Sequence, residues 1–320
     1  MDIKEKWAAG LRSQMVQREA GASPGTRSEE PVPLDSFKET LDELFTLTSQ
    51  YRTGRAYAQL LRFTARFRSY SPYNALLVHT QMPGATYVAP PSRWLAEYGR
   101  EIRPGAHPII VLRPGGPVMF VFDVKDTEPG PNARPIPDGV LAPFAARGSP
   151  VGSQLRLVIT NAKRDGVRVS LHEEGSQSAG SIRSVSRATR TLVFKHGVRK
   201  PRRVRVPLRY ELLVSRHLAT ESRFATVAHE LAHLYCGHLG TPDDRWWPDR
   251  RHVSPHIMEL EAESVSYLVC RRFGVESPAA SYLARYLRDN EPVPEISLER
   301  VMVTAGLIET MSTRPMRPRS

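Results

Sequence analysis

Arg223-Phe-Ala-Thr-Val-Ala-His-Glu-Leu-Ala-His-Leu-Tyr235 is the stretch on which the reading of this chain turns. No proline or glycine interrupts residues 223–236, and Leu231 and Ala232 are good helix formers, so the stretch predicts a helix. Val227, Ala228, Leu231 and Leu234 predict that it is buried. His229 and His233 stand four residues apart, one turn along a single helical face, where two imidazoles can share one zinc ion. Glu230 follows the first histidine, in reach of a water at the metal without ligating the metal itself. That is the place of a general base for hydrolysis at a carbonyl.

A catalytic zinc site needs three protein ligands and an open position. The third is expected in Ile257-Met-Glu-Leu-Glu-Ala-Glu-Ser-Val-Ser-Tyr-Leu-Val-Cys270, whose apolar residues at 258, 262, 265, 268 and 269 follow helical spacing. Glu259 and Glu263 share one face of that helix and Glu261 points elsewhere. One of the pair can ligate zinc while the other accepts the free N–H of a ligand histidine. We take Glu259 as ligand and Glu263 as the supporting carboxylate; the reverse satisfies the same spacing. Tyr267, His252 and His256 are candidates for an oxyanion donor. His238, in Gly237-His-Leu-Gly240, reads as a basic side chain capping the helix end. Cys236 and Cys270 are the only cysteines, which excludes a disulfide framework and fits a reducing cytoplasm. Both read as small buried residues, with ligation by Cys236 a minor alternative.

The formal net charge is +12 over 320 residues, unevenly spread. Residues 151–210 hold fourteen Lys and Arg against three acids, whereas residues 221–300 hold nine Arg against thirteen acids. A basic surface outside an acidic catalytic half points to a polyanionic partner, nucleic acid first. No apolar run is long enough to cross a bilayer and no apolar segment follows Met1-Asp-Ile-Lys-Glu-Lys6, so the expectation is a cytoplasmic protein without a membrane partner.

The chain divides by composition into a polar, Pro- and Gly-rich segment at 1–35, read as disordered, a module at 36–128, a linker at 129–150, a metal domain at 151–311 and a basic tail at 312–320, read as frayed. The fold class expected is α+β in two domains. Within the module, helices are expected over apolar positions 41–47, over Arg55–Arg68 and over Ser71–Gln81. Strands are expected at Thr86–Ala89, Pro108–Leu112 and Val118–Val124. In the metal domain, Leu155–Thr160, Val167–Leu171, Thr191–Phe194 and Val204–Val214 read as β segments. A last helix is expected over Leu298–Met311 with Ser297 as its N-cap.

Arg66-Phe-Arg-Ser-Tyr-Ser-Pro-Tyr-Asn74 interleaves basic, aromatic and amide groups, a pattern that can pair phosphates and stack unpaired bases. Phe63 and Phe67 read as core. Arg62, Arg66, Arg68, Tyr70, Tyr73, Asn74 and Trp94 are the candidate contacts to single-stranded DNA.

Two resemblances join these motifs. Phe224–His233 with Glu259-Leu-Glu-Ala-Glu-Ser-Val-Ser-Tyr267 is similar to the ImmA/IrrE metallopeptidases, a gluzincin-like arrangement, and to the C-terminal domain of ArdC-type antirestriction proteins. Tyr70-Ser-Pro-Tyr-Asn-Ala-Leu-Leu77, Gln81-Met-Pro-Gly-Ala-Thr-Tyr-Val-Ala89, Trp94-Leu-Ala-Glu-Tyr-Gly-Arg100, Ile102-Arg-Pro-Gly105 and Val121-Phe-Asp-Val124 resemble, in order, the single-stranded-DNA-binding domain of the ArdC type. The resemblance implies Glu259 as the third zinc ligand and a DNA-binding zinc metallopeptidase acting on an unidentified protein. Its alternative is an antirestriction protein that binds DNA around a structural zinc and cuts nothing. The chain departs from the pattern at Pro104-Gly-Ala-His-Pro108, where basic groups are common, and over residues 138–200, which match no motif of the family.

Overall fold

The computed structural model describes residues 51, 53–113, 116–136, 151–172, 179–185, 191–196, 202–276 and 292–319. The expected disordered segment at 1–35 and the helix over 41–47 lie outside these residues. In chain order the helices are α1 (Gly54–Arg66), α2 (Pro72–Gln81), α3 (Pro91–Tyr98), α4 (Gly152–Ala162), α5 (Thr220–Tyr235), α6 (Pro255–Arg272) and α7 (Leu298–Thr313). The strands are β1 (Val88–Ala89), β2 (Arg100–Ile102), β3 (Ile109–Arg113), β4 (Gly116–Asp123), β5 (Thr127–Pro129), β6 (Val167–His172), β7 (Gly180–Ser184), β8 (Thr191–His196), β9 (Arg202–Pro207) and β10 (Tyr210–Ser215). The mixture of helices with small sheets is α+β, as expected. No helix among the described residues is long and apolar enough to cross a membrane.

Ala85–Ile136 form one compact unit, and the described residues of Phe45–Gly84 and Pro137–Ser320 form another. In the smaller unit β1 and β3 flank β4, all antiparallel, and β2 pairs with β5. Trp94 is fully buried against Tyr87 and Tyr98 and donates its indole N–H to Phe122 O at 3.0 Å. Residues 129–134, expected as the start of a linker, are held to this unit: Gly130 N–H reaches Gly99 O and Arg134 N–H reaches Tyr98 O. Gly99 takes a left-handed turn after α3, where a Cβ would stand 2.2 Å from Asn132 O. The rest of the expected linker, 137–150, is not among the described residues.

The larger unit is built on β6-β10-β7, with β10 parallel to β6 and antiparallel to β7. Tyr210, Leu212 and Val214 alternate into its core, with α5 packed on their strand and α4 on the neighbouring β6; α6 and α7 complete the core. Helices α1 and α2 belong to this core as well, although the sequence placed them with the module at 36–128. Tyr57, Leu60, Leu61 and Leu76 are buried in it, and Tyr57 Oη donates to Ser264 Oγ on α6 at 2.6 Å.

Three expectations are corrected. Leu155–Thr160 is helix, not strand: the β-branched run Val158-Ile-Thr160 misleads locally, but Leu155, Val158 and Ala162 share a buried helical stripe. Val204–Val214 is two strands, because Arg209 and Tyr210 turn inward to bond Gly166 O. Residues 314–319 are docked and not frayed. Asn161 binds the backbone of Met311, Arg314 and Met316, and Arg319 donates to the buried Asp165 carboxylate while lying over Trp246 and Trp247.

Candidate metal centre

Helix α5 runs through the core with no break, and its buried residues fix which face turns outward. That face carries His229 and His233. Helix α6 packs alongside, starting with Pro255 in its first turn, where a missing N–H costs nothing. Glu259 stands one turn further on, opposite the two imidazoles.

The three donor groups converge. His229 Nε2 lies 3.2 Å from His233 Nε2, 3.5 Å from Glu259 Oε2, and His233 Nε2 lies 3.4 Å from Glu259 Oε1. A tetrahedral ion with bonds of about 2.0–2.1 Å holds its ligand atoms about 3.3–3.4 Å apart. The observed spacing is therefore the spacing such an ion requires. Among the described residues no fourth His, Cys, Asp or Glu joins the group. The site is open on one side, since the Glu259 side chain is 53% exposed while those of His229 and His233 are 20% and 14% exposed.

The far nitrogens of both imidazoles face polar groups. His229 Nδ1 faces Glu263 Oε1 at 3.7 Å, an ion-pair contact longer than a hydrogen bond. His233 Nδ1 faces His238 Nδ1 at 3.1 Å. With a metal bound, protons on the two Nδ1 atoms would leave the Nε2 lone pairs free to face the common point. Burial depresses the affinity of His229 for a proton, but Glu259, Glu263 and Glu230 outweigh it and its pKa is raised. The bonds from His229 and His233 hold Glu259 well below the usual carboxylate range.

Glu230 is buried beside this point, and burial raises its pKa against the pull of His229 and His233. The backbone N–H of Ile182 on β7 reaches its carboxylate. Strand β7 comes this close because residue 180 is glycine: a Cβ there would meet Thr226 Cγ2 at 2.5 Å and Leu213 O at 2.8 Å.

His238 does not cap the helix with its side chain. The end of α5 is closed by backbone, with Gly237 N–H on Leu234 O and His238 N–H on His233 O at 3.0 Å each, a Schellman turn. Gly237 supplies the left-handed residue at φ 89°, and a Cβ there would stand 2.1 Å from Pro248 O. The turn sends the His238 ring inward. There it bonds Glu261 Oε2 at 2.9 Å, and burial lowers its pKa. Glu261 is fully buried and also receives Arg250 Nη1 at 2.6 Å, Arg250 Nη2 at 2.7 Å and Ser297 N–H at 2.7 Å. Sequence alone sets Glu261 on a separate face but does not connect it to His238. That link depends on the loop between α5 and α6. Cys236, His238 and Glu261 also cluster within ligand distance, but Arg250 occupies both oxygens of Glu261. Cys236 bonds Thr304, and burial pushes its thiol up to about 12.

His252 and His256 are exposed, in the loop before α6 and in its first turn; Tyr267 is half-buried two turns beyond Glu259. Of the expected DNA contacts, Trp94 is buried and offers no ring face to a base, Asn74 is buried, and Tyr73 is half-buried against the core. Arg62 and Arg68 are exposed on α1 and just after it, and Tyr70 is half-exposed. Phe63 and Phe67 are buried and stacked at 4.3 Å, as expected for core.

No family model matches the chain, and no curated protein matches it. Among solved structures, it is similar to the metal-free crystal structure of the antirestriction ArdC protein from the R388 plasmid. The likeness has 15% identity and a TM-score of 0.34, and covers 77% of this chain and 86% of that one.

Proposed function

We propose that the chain is a zinc metallopeptidase. His229, His233 and Glu259 are its ligands and Glu230 its general base. The observation that carries this reading is the convergence of three ligand atoms at 3.2–3.5 Å beside a buried carboxylate, on a face open to solvent. A zinc ion bound there supplies Lewis-acid chemistry, acidifying water and polarising a carbonyl. The protein's part is positional. Glu230 takes the proton from the attacking water and is aimed by the Ile182 N–H. Ile182 directs that N–H away from β10, so the outer edge of β7 faces the site. Among the described residues β7 has β10 as its single strand neighbour. Its outer edge can pair with an extended peptide and present the scissile carbonyl beside Glu230.

The test compares wild type with Glu230→Gln on a quenched-fluorescent peptide library. The variant is expected to keep its metal and to lose cleavage by about 10²–10⁴-fold. Wild type that carries metal yet cleaves nothing, with Glu230→Gln fully active in vivo, would favour the non-proteolytic antirestriction reading.

We further propose single-stranded DNA as a partner. Residues 45–84 carry Arg52, Arg55, Arg62, Arg66 and Arg68 with no acidic residue, and Arg62 and Arg68 are exposed. A gel shift across a salt series should show single strands bound more tightly than duplex. Equal affinity at every salt concentration would reduce the interaction to charge attraction.

A further inference from the structure

The chain of groups behind His233 has a direction. A histidine that ligates through Nε2 and is neutral carries its proton on Nδ1. His233 Nδ1 is 3.1 Å from His238 Nδ1, so the second nitrogen must accept. His238 must then carry its own proton on Nε2, which stands 2.9 Å from Glu261 Oε2. Glu261 can only accept there, because Arg250 and the Ser297 N–H fill its remaining positions with donors. Every proton in the series is assigned by the next group along. The far end is rigid as well: Arg250 N–H bonds Gly237 O, and Arg250 Nη1 bonds Cys236 O.

From this we infer that His238 and Glu261 are positioning residues, which lock His233 in the tautomer and ring orientation that present Nε2 to the metal. The inference rests on the metal site proposed above. It adds a second histidine and a salt-bridged carboxylate that the ligand motif does not contain. It also gives the Schellman turn a purpose, since Gly237 sets the backbone that brings residue 238 beneath residue 233.

Two readouts test it, neither of them activity. In zinc-loaded wild type, two-bond ¹H–¹⁵N correlation spectra should show His233 protonated at Nδ1 and His238 protonated at Nε2 only. A proton on Nδ1 of His238 would overturn the inference. Zinc affinity, measured by chelator competition, should fall about 10–100-fold in His238→Leu. It should recover substantially in His238→Gln, whose amide oxygen can accept from His233 and whose NH₂ can donate to Glu261. Circular dichroism establishes that each variant is folded; if His238→Leu is not, the tautomer spectra of wild type decide alone. Wild type that binds zinc while folded His238→Leu binds it equally well sinks this inference and leaves the metal site standing. Wild type that binds no zinc sinks both.

Discussion

A carboxylate shut away from water must find its donors inside the protein, and Glu261 finds four. Burial alone would raise its pKa, but His238, Arg250 and the Ser297 N–H outweigh that and hold it below the ordinary value. A depressed carboxylate contributes stability that is present above its unfolded pKa of about 4.3 and is lost as pH falls through the folded value. Glu261→Gln should therefore be less stable than wild type at pH 7, with the gap in urea midpoint narrowing toward pH 3.5. A gap that stays constant would mean that the charge contributes nothing. At this scale the residues of the candidate site were legible, and the groups behind them only partly so. His229 and His233, like Glu259 and Glu263, stand out because residues four apart share one face of a helix. His238 and Glu261 do not, because their contact is made by a loop closure with no local signature. Trp94 misled for a related reason: an aromatic near arginines reads the same whether it faces a base or a core.

Among the elements, α1, α6 and α7 are tied by one side chain. The Arg272 guanidinium, buried at the end of α6, donates to Thr64 O at 2.8 Å and Phe67 O at 2.9 Å, to Tyr70 O, and to Glu309 on α7. It satisfies carbonyls that the end of α1 leaves open. Arg272→Met should lower stability by about 3–5 kcal/mol, since it strands buried acceptors and a partner carboxylate. A urea midpoint unchanged from wild type would show that water replaces the guanidinium at no cost. Most helices and strands followed from periodicity, and Ser297 caps α7 as expected, its hydroxyl accepting from Arg300 N–H. Helix α4 did not, because three consecutive β-branched residues hid a helical burial stripe. Nor did the membership of α1 and α2 in the larger core, which is decided by long-range contacts with α6 and α7.

For the whole molecule, the basic stretches and the candidate metal centre are separate in sequence but fall in one unit of the fold. The smaller unit carries six basic and five acidic residues, so the basic excess lies with the larger unit, which also holds the metal centre. Any polyanion drawn to that surface is drawn to the unit that would do the hydrolysis. Everything in this account depends on an ion at His229, His233 and Glu259. The direct measurement is zinc content together with the zinc K-edge X-ray absorption spectrum of wild type. One ion per chain is expected, bound only by nitrogen and oxygen at about 2.0–2.1 Å, and lost in Glu259→Ala. Substoichiometric metal, or a sulfur scatterer near 2.3 Å that would place the ion at Cys236, would contradict it.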